Sequence, residues 1–377
     1  MKKLALGIIV LLLVFTFAAC TKRTGTAMNQ EVENLLRANF PDQMKDGRIR
    51  VAVVRNLAAG DHTQQFLEGA VSEGRAMGFE VDTFVTDGDS VRAQDAVALA
   101  VLQDYDGIIL SHGEAGWTYG ALSPAVEKGM KVVTFDSVPY RDGNPNNEIL
   151  RGVTSTAQAD YDLAELSIGA IVNYFPPERR PVRVVRAWMG PGIPPLDRRQ
   201  VVYDRFVRDG YITEVALVGP VDSADPRGGT HTSFAATLPR FPVGTVDAIW
   251  GSFDELAKGC LQALNDAGRN DIRIMSIDIA NDNINLMQRY SDIWISTAAV
   301  DPRLIGIANM RLLAAKFAGE ATPDTFEFDA SLVYNHQLNP SINMTNIATV
   351  VPGWGEERGV WDHFTWMSEI KAAVAKQ

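Results

Sequence analysis

Gly107-Ile108-Ile109-Leu110-Ser111, then a segment of helical length, then Lys131-Val132-Val133-Thr134-Phe135-Asp136: two β-rich runs joined by a crossover form the unit of a parallel sheet. Outward from this unit the same beat continues. On the N-terminal side stand runs at 49–54 and 81–86, with helical patterns at 63–77 and 90–103. After Glu178 the beat resumes with runs at 182–188, 212–218, 248–251 and 272–277, and helical patterns at 197–208 and 255–267. Strands separated by helix-length crossovers imply parallel sheets covered by helices on both faces, here in two lobes with separate cores. The stretch Pro176-Pro177-Glu178-Arg179-Arg180-Pro181 reads as a stiff surface connection.

The chain has 377 residues, enough for two domains of ordinary size. Hydrophobic residues at 46% and charged residues at 21% exclude a disordered or fibrous chain. The formal charge of -11 opposes binding to phosphate backbones and anionic lipid, so nucleic acid is not an expected partner. Two cysteines, Cys20 and Cys260, exclude a disulfide framework and any multi-cysteine zinc site. Cys260, in a helical stretch, reads as a buried apolar residue.

Met1-Lys2-Lys3, an apolar run from Leu4 to Ala19 and then Cys20 carry the pattern of a secretory signal peptide at 1–19. The run is short for a membrane span. Its ending, Phe17-Ala18-Ala19-Cys20, resembles the bacterial lipoprotein signal, with Phe17 where Leu is usual. That resemblance implies lipidation of Cys20, a polar tether over 20–46, and an exported protein held at the membrane only through its anchor, periplasmic or on the cell surface. An export signal also stands where a transcriptional regulator would carry its helix-turn-helix.

In open parallel sheets, ligands sit beyond the carboxyl ends of the strands. Arg55-Asn56 and then Gly60-Asp61-His62-Thr63 follow the first strand, and Ser111-His112-Gly113-Glu114-Ala115-Gly116-Trp117 follow the third. Asp136-Ser137 ends the fourth. In the second half, Trp188 precedes a Gly-Pro-Gly turn and Asp197-Arg198-Arg199, Ser252-Phe253-Asp254 closes the third run, and Asp278 closes the fourth. Carboxylates, guanidinium, imidazole and indole on one rim suit a polyhydroxylated ligand. Each group has a plainer reading too: Asp136 and Asp278 as caps, Trp188 as core, His62 and His112 as loop polars without a third metal ligand. Asp87-Gly88-Asp89-Ser90 lacks a calcium-loop pattern and reads as a turn with Ser90 as helix cap. No nucleophile elbow, P-loop, zinc-protease motif or dinucleotide fingerprint appears, and no cofactor or metal is expected.

Asp106-Gly107-Ile108-Ile109-Leu110, the run from Lys131 to Asp136, and Phe253-Asp254-Glu255-Leu256-Ala257-Lys258-Gly259 resemble the periplasmic sugar-binding proteins of ABC importers. So do Asn265-Asp266-Ala267-Gly268-Arg269 and Ser296-Thr297-Ala298-Ala299-Val300-Asp301-Pro302. The type is that of ribose and galactose binders, relatives of the LacI effector domain. The resemblance implies an α/β fold of two Rossmann-like lobes with parallel sheets and a three-crossover hinge, the type I periplasmic binding protein. It divides the chain into 47–153 plus 301–328 for the N-terminal lobe and 154–300 plus 329–377 for the C-terminal lobe. A sugar clamped in the cleft is then released to an ABC permease without chemistry.

By the same resemblance Asp136 and Asp278 are the ring-hydroxyl carboxylates of the two lobes, and Arg198 or Arg199 the arginine after the first strand of the second lobe. His62 and Thr63 fall where the family carries stacking aromatics, and Ser111 at a polar contact. Ser137, Phe253 and Val300 depart from the pattern, at the positions of an Arg, an Asn and a Gln or Asn. The two apolar replacements, Phe253 and Val300, would leave sugar hydroxyls unpaired at about 1–3 kcal/mol each, which disfavours ribose and favours a solute with an apolar portion or a different sugar or polyol. Two other roles stay open: a ligand-sensing subunit for a chemoreceptor or sensor kinase, and an exported hydrolase using Asp136, His112 or Glu114. The tail with Trp354, Trp361 and Trp366 is expected to pack on the second lobe.

Overall fold

The computed structural model describes residues 28–221, 224–355 and 360–377; the stretch read as a signal peptide and Cys20, read as a lipidation site, lie outside them. Along the chain the first lobe runs α1 (Gln30–Asn39), β1 (Arg50–Arg55), α2 (Asp61–Ala76), β2 (Glu80–Val85), α3 (Ser90–Leu102), β3 (Gly107–Ser111), α4 (Ala115–Glu127), β4 (Lys131–Phe135) and β5 (Val153–Gln158). The second runs α5 (Asp160–Tyr174), β6 (Val182–Ala187), α6 (Pro194–Arg208), β7 (Ile212–Val218), α7 (Pro226–Thr237), β8 (Ala248–Gly251), α8 (Asp254–Asp266), β9 (Arg273–Ile277), α9 (Asn281–Arg289) and β10 (Trp294–Ala299). The chain then returns to the first lobe for α10 (Pro302–Phe317) and β11 (Thr325–Phe328), crosses again for β12 (Ser331–Tyr334), and ends in α11 (Thr365–Val374).

Each lobe has a six-stranded sheet, in the orders β11-β5-β4-β3-β1-β2 and β12-β10-β9-β8-β6-β7. Every pairing is parallel except β12, which runs antiparallel to β10. The central strands are apolar throughout because helices cover both faces, and each sheet accordingly separates two hydrophobic clusters. Helices α2 and α10 approach to backbone contact. A Cβ on Gly69 would lie 2.1 Å from the Arg303 carbonyl oxygen, and one on Gly306 2.1 Å from that of Phe66.

The expected domain bounds need three corrections. β5 pairs with β4, so the first crossing falls at Ala159 and residues 154–158 belong to the first lobe. The segment read as a tether contains α1, whose Val32 and Leu36 are fully buried in the first-lobe core. The tail divides: Val351 and Trp354 pack in the second lobe, whereas Met367, Ile370 and Ala373 of α11 are buried in the first, against α1 and α2. Beside the crossings at Ala159, Val300 and Asp329, the tail thus adds a fourth passage between the lobes, with Trp354 packed in the second and Val360 against the first. The cap of α3 is Asp89, which accepts from the Val91 and Arg92 amides, and not Ser90, whose hydroxyl donates to Glu114.

Candidate functional site

The carboxyl ends of the two sheets face each other, and the polar residues of the strand ends converge between them. From the first lobe, β1 ends in Arg55, which is wholly buried. Its guanidinium meets Ser111 Oγ at 2.6 Å, His62 Nδ1 at 2.9 Å and His112 Nδ1 at 3.3 Å, with Phe66 packed under it at 4.4 Å. Burial lowers its pKa to about 9, while Asp136 and Asp278 oppose that shift. Burial, and then the Arg55 charge, hold His62 down to about 3; the same causes hold His112 well below its ordinary value. Both rings are therefore neutral at pH 7. Because Arg55 can only donate, its contact with His62 makes that Nδ1 an acceptor.

Asp136 follows β4, 3.7 Å from His112 Nε2. Both of its carboxylate oxygens are buried and accept no hydrogen bond among the described residues. Burial, and next the Asp160 carboxylate of the opposite lobe, raise its pKa to about 7. Asp278, at the end of β9, is the second-lobe counterpart: one oxygen is buried and unpartnered, the other lies 3.6 Å from Arg199. Burial again dominates and lifts it to about 6. His112, Asp136 and Asp278 all have positive φ, +59°, +49° and +72°. Non-glycine residues hold such a backbone at about 1–3 kcal/mol each, and the cost is commonly met where side chains must be aimed at a ligand.

The second lobe contributes a guanidinium pair. Asp160, at the start of α5, accepts from Arg198 at 2.6 Å and 3.0 Å and from Arg199 at 2.8 Å. Arg199 also donates to the Ser252 carbonyl at 2.7 Å and is the buried member that faces Asp278; Arg198 is partly exposed. Both arginines come to the site, in different roles. Trp188 lies under Arg186, its indole N–H buried without an acceptor, and the Ser252 hydroxyl is likewise unpartnered. Lys258, buried behind the site, meets Asp254, Glu255 and Asp282 at 2.8, 2.6 and 2.7 Å and ties α8 to α9.

Other expected residues are spent on the fold. Thr63 donates to the Ala58 carbonyl, Ser137 to that of Gly113, and Ser111 positions Arg55 and His112. Trp117 packs beside the Ala96–Leu122 side of the first-lobe core, and Phe253 against the second-lobe core. Val300 is buried in the first-lobe core at the hinge. Asp160 was not among the expected site residues, and Arg55 was named only as a polar residue at the end of the first strand. The signal for Arg55 was a cation ending an otherwise apolar strand; Asp160 lay in a stretch without strand pattern. Among the described residues no group of three or more His, Cys, Asp or Glu side chains is placed to hold a metal ion.

Two α/β lobes with unpaired carboxylates aimed into the space between them define a two-lobed solute receptor. The family model for the periplasmic binding protein domain matches residues 51–321, and the chain belongs to the periplasmic binding protein family, whose members are exported transport proteins. A sugar ABC transporter structure from Yersinia enterocolitica subsp. enterocolitica 8081 is 36% identical, with TM-score 0.79 over 88% of this chain and 98% of that one. The 5-methylthioribose transporter solute binding protein from Thermotoga lettingae TMO, solved with 5-methylthioribose, is 25% identical, with TM-score 0.75 over 87% and 99%. A glucose-galactose binding protein from Geobacillus stearothermophilus, 17% identical over 77% and 99% with TM-score 0.64, shares the fold. A search of curated proteins finds no match.

Proposed function

We propose that this protein captures a sugar or related polyhydroxylated solute between its lobes and delivers it unchanged to an ABC importer, and that the solute carries an apolar portion. Asp136 carries the reading. A carboxylate with both oxygens buried and unpartnered is costly unless a ligand donates to it, and neighbouring hydroxyls of a polyol supply two donors in the right spacing. Asp278 and Arg199 present the same chemistry from the other lobe, so a solute touching both favours the closed state by its differential contacts.

The apolar portion is supported by the Thermotoga lettingae relative solved with 5-methylthioribose. No bond is made or broken in this role, and the protein is not an enzyme. The lipoprotein-like ending at Cys20 supports anchoring of the mature chain by acyl groups, with both lobes free to meet the permease.

Thermal shift with 5-methylthioribose, D-ribose, D-galactose, galactofuranosides and pentitols tests the reading. A bound solute at about 100 times its dissociation constant adds about 2.7 kcal/mol of stability. A melting point unmoved by the whole panel would overturn it.

A further inference from the structure

Helix α9 has no N-cap side chain of its own. Its N-cap residue is Ala280, and within the first turn Asp282 Oδ1 accepts only from the Asn283 amide, at 2.9 Å, which leaves the Asn281 N–H without an acceptor from its own helix. The acceptor comes from the other lobe: Asp61 Oδ2, at the start of α2, takes the Asn281 backbone N–H at 2.5 Å, and Asp61 Oδ1 lies 3.5 Å from the Asn281 side-chain amide. Asn281 is held in place from its own lobe, since its Oδ1 accepts from the Met344 amide at 2.9 Å. The N-termini of α2 and α9 therefore meet across the cleft, both carrying the positive end of a helix dipole, with one carboxylate between them.

We infer that Asp61 is a closure latch: it caps α9 in trans, and so sets the balance between open and closed lobes by a contact that exists only when the cleft is shut. The arrangement makes the latch separable from solute recognition. Opening the lobes exposes the Asn281 N–H to water and removes its acceptor, leaving α9 only the Asp282 contact within its own first turn, whereas Asp136 and Asp278, the carboxylates that await the solute, make no contact with Asp61. Asp61 is thus a positioning residue for capture, acting through the lobe equilibrium.

Spin labels on Val91 and Val243, exposed residues of the two lobes, read the lobe separation in the solute-free full chain carrying Cys20→Ser. Losing an N-cap shifts such an equilibrium by about fivefold. Asp61→Ala is expected to lower the closed-to-open ratio by about that factor, while Asp61→Asn, which keeps an acceptor oxygen, retains most of it. A ratio unchanged in Asp61→Ala, an equal loss in Asp61→Asn, or no closed population in the protein with Asp61 intact would overturn the latch. Because no solute enters the measurement, these outcomes are independent of whether the protein binds a sugar.

Discussion

Arg55 donates to His62 Nδ1 at 2.9 Å between the lobes, and this contact adds to burial in keeping the imidazole neutral. A buried guanidinium that must donate cannot sit beside a protonated imidazole, so the positive charge stays on arginine and the ring stays neutral. His112 meets the same guanidinium through its own Nδ1, which leaves Nε2 as the atom turned toward Asp136.

Of the five histidines, His62 is accordingly expected to titrate near 3 and His112 well below the ordinary imidazole value, as read from imidazole proton shifts in an NMR titration. In Arg55→Met both should titrate at higher pH than in the parent, because the largest of the charges that depress them, after burial, is gone. Either ring titrating near 6.5 in the parent protein would contradict the arrangement.

Asp136→Asn should weaken solute binding about tenfold to 100-fold, the range for a lost hydrogen bond to a charged group. The same substitution should leave the melting point of solute-free protein unchanged or higher, since it removes a buried charge with no hydrogen-bond donor. Calorimetric titration and a thermal melt on one sample separate the two effects. A large fall in solute-free stability would mean that Asp136 serves the fold instead.

The opposite balance holds for Asp160. It is buried and neutralises two arginines, so Asp160→Asn leaves Arg199 charged in the interior while Arg198 can relax toward water. Breaking a buried pair costs about 3–5 kcal/mol, and the lower end applies here because Arg198 is partly exposed. A shift of the urea midpoint of solute-free protein reads this loss, and an unmoved midpoint would contradict it.

The lobes were legible because their central strands are buried on both faces and read as uninterrupted apolar runs; β3 falls on the residues expected. Two of the strands that escaped, β5 and β10, carry runs of hydroxyl side chains. β5 is Val153-Thr154-Ser155-Thr156-Ala157-Gln158, and its hydroxyls are satisfied inside the lobe, as where Thr156 donates to Asn309. β10 does the same through Thr297 and Ser276. A sequence pattern that scores apolarity passes over strands stabilised this way. At the candidate site, Asp136 and Asp278 stood out in the sequence because they close apolar strands, and the arginine pair through the family resemblance. Asp160 did not, since its importance comes from two arginines 38 and 39 positions away, which only the fold brings to it.

The tail offers a test of the fourth passage between the lobes. Met367 is fully buried in the first-lobe core, so Met367→Ala should cost about 2–5 kcal/mol there. Urea unfolding followed by hydrogen exchange should show lost protection in α1 and α2, with solute affinity unchanged. Loss confined to the second lobe would place the tail where the sequence alone suggested.

Binding should also move protons. Asp136 and Asp278, raised to about 7 and 6, have folded values above the ordinary carboxyl value near 4. Between those limits the folded protein holds more protons than the unfolded chain, so their contribution to solute-free stability falls as pH rises from about 4 to 7. Solute hydroxyls donate to the ionised carboxylates and select that form, so the bound state releases the protons. Affinity is therefore expected to strengthen as pH rises from 5 to 7. At pH 6 the heat of binding should depend on the ionisation enthalpy of the buffer, with net proton release. Asp136→Asn should reduce the release and flatten the upper part of the pH profile. Proton uptake on binding, or an affinity independent of pH across this range, would show that the solute does not bond to these carboxylates in their charged form.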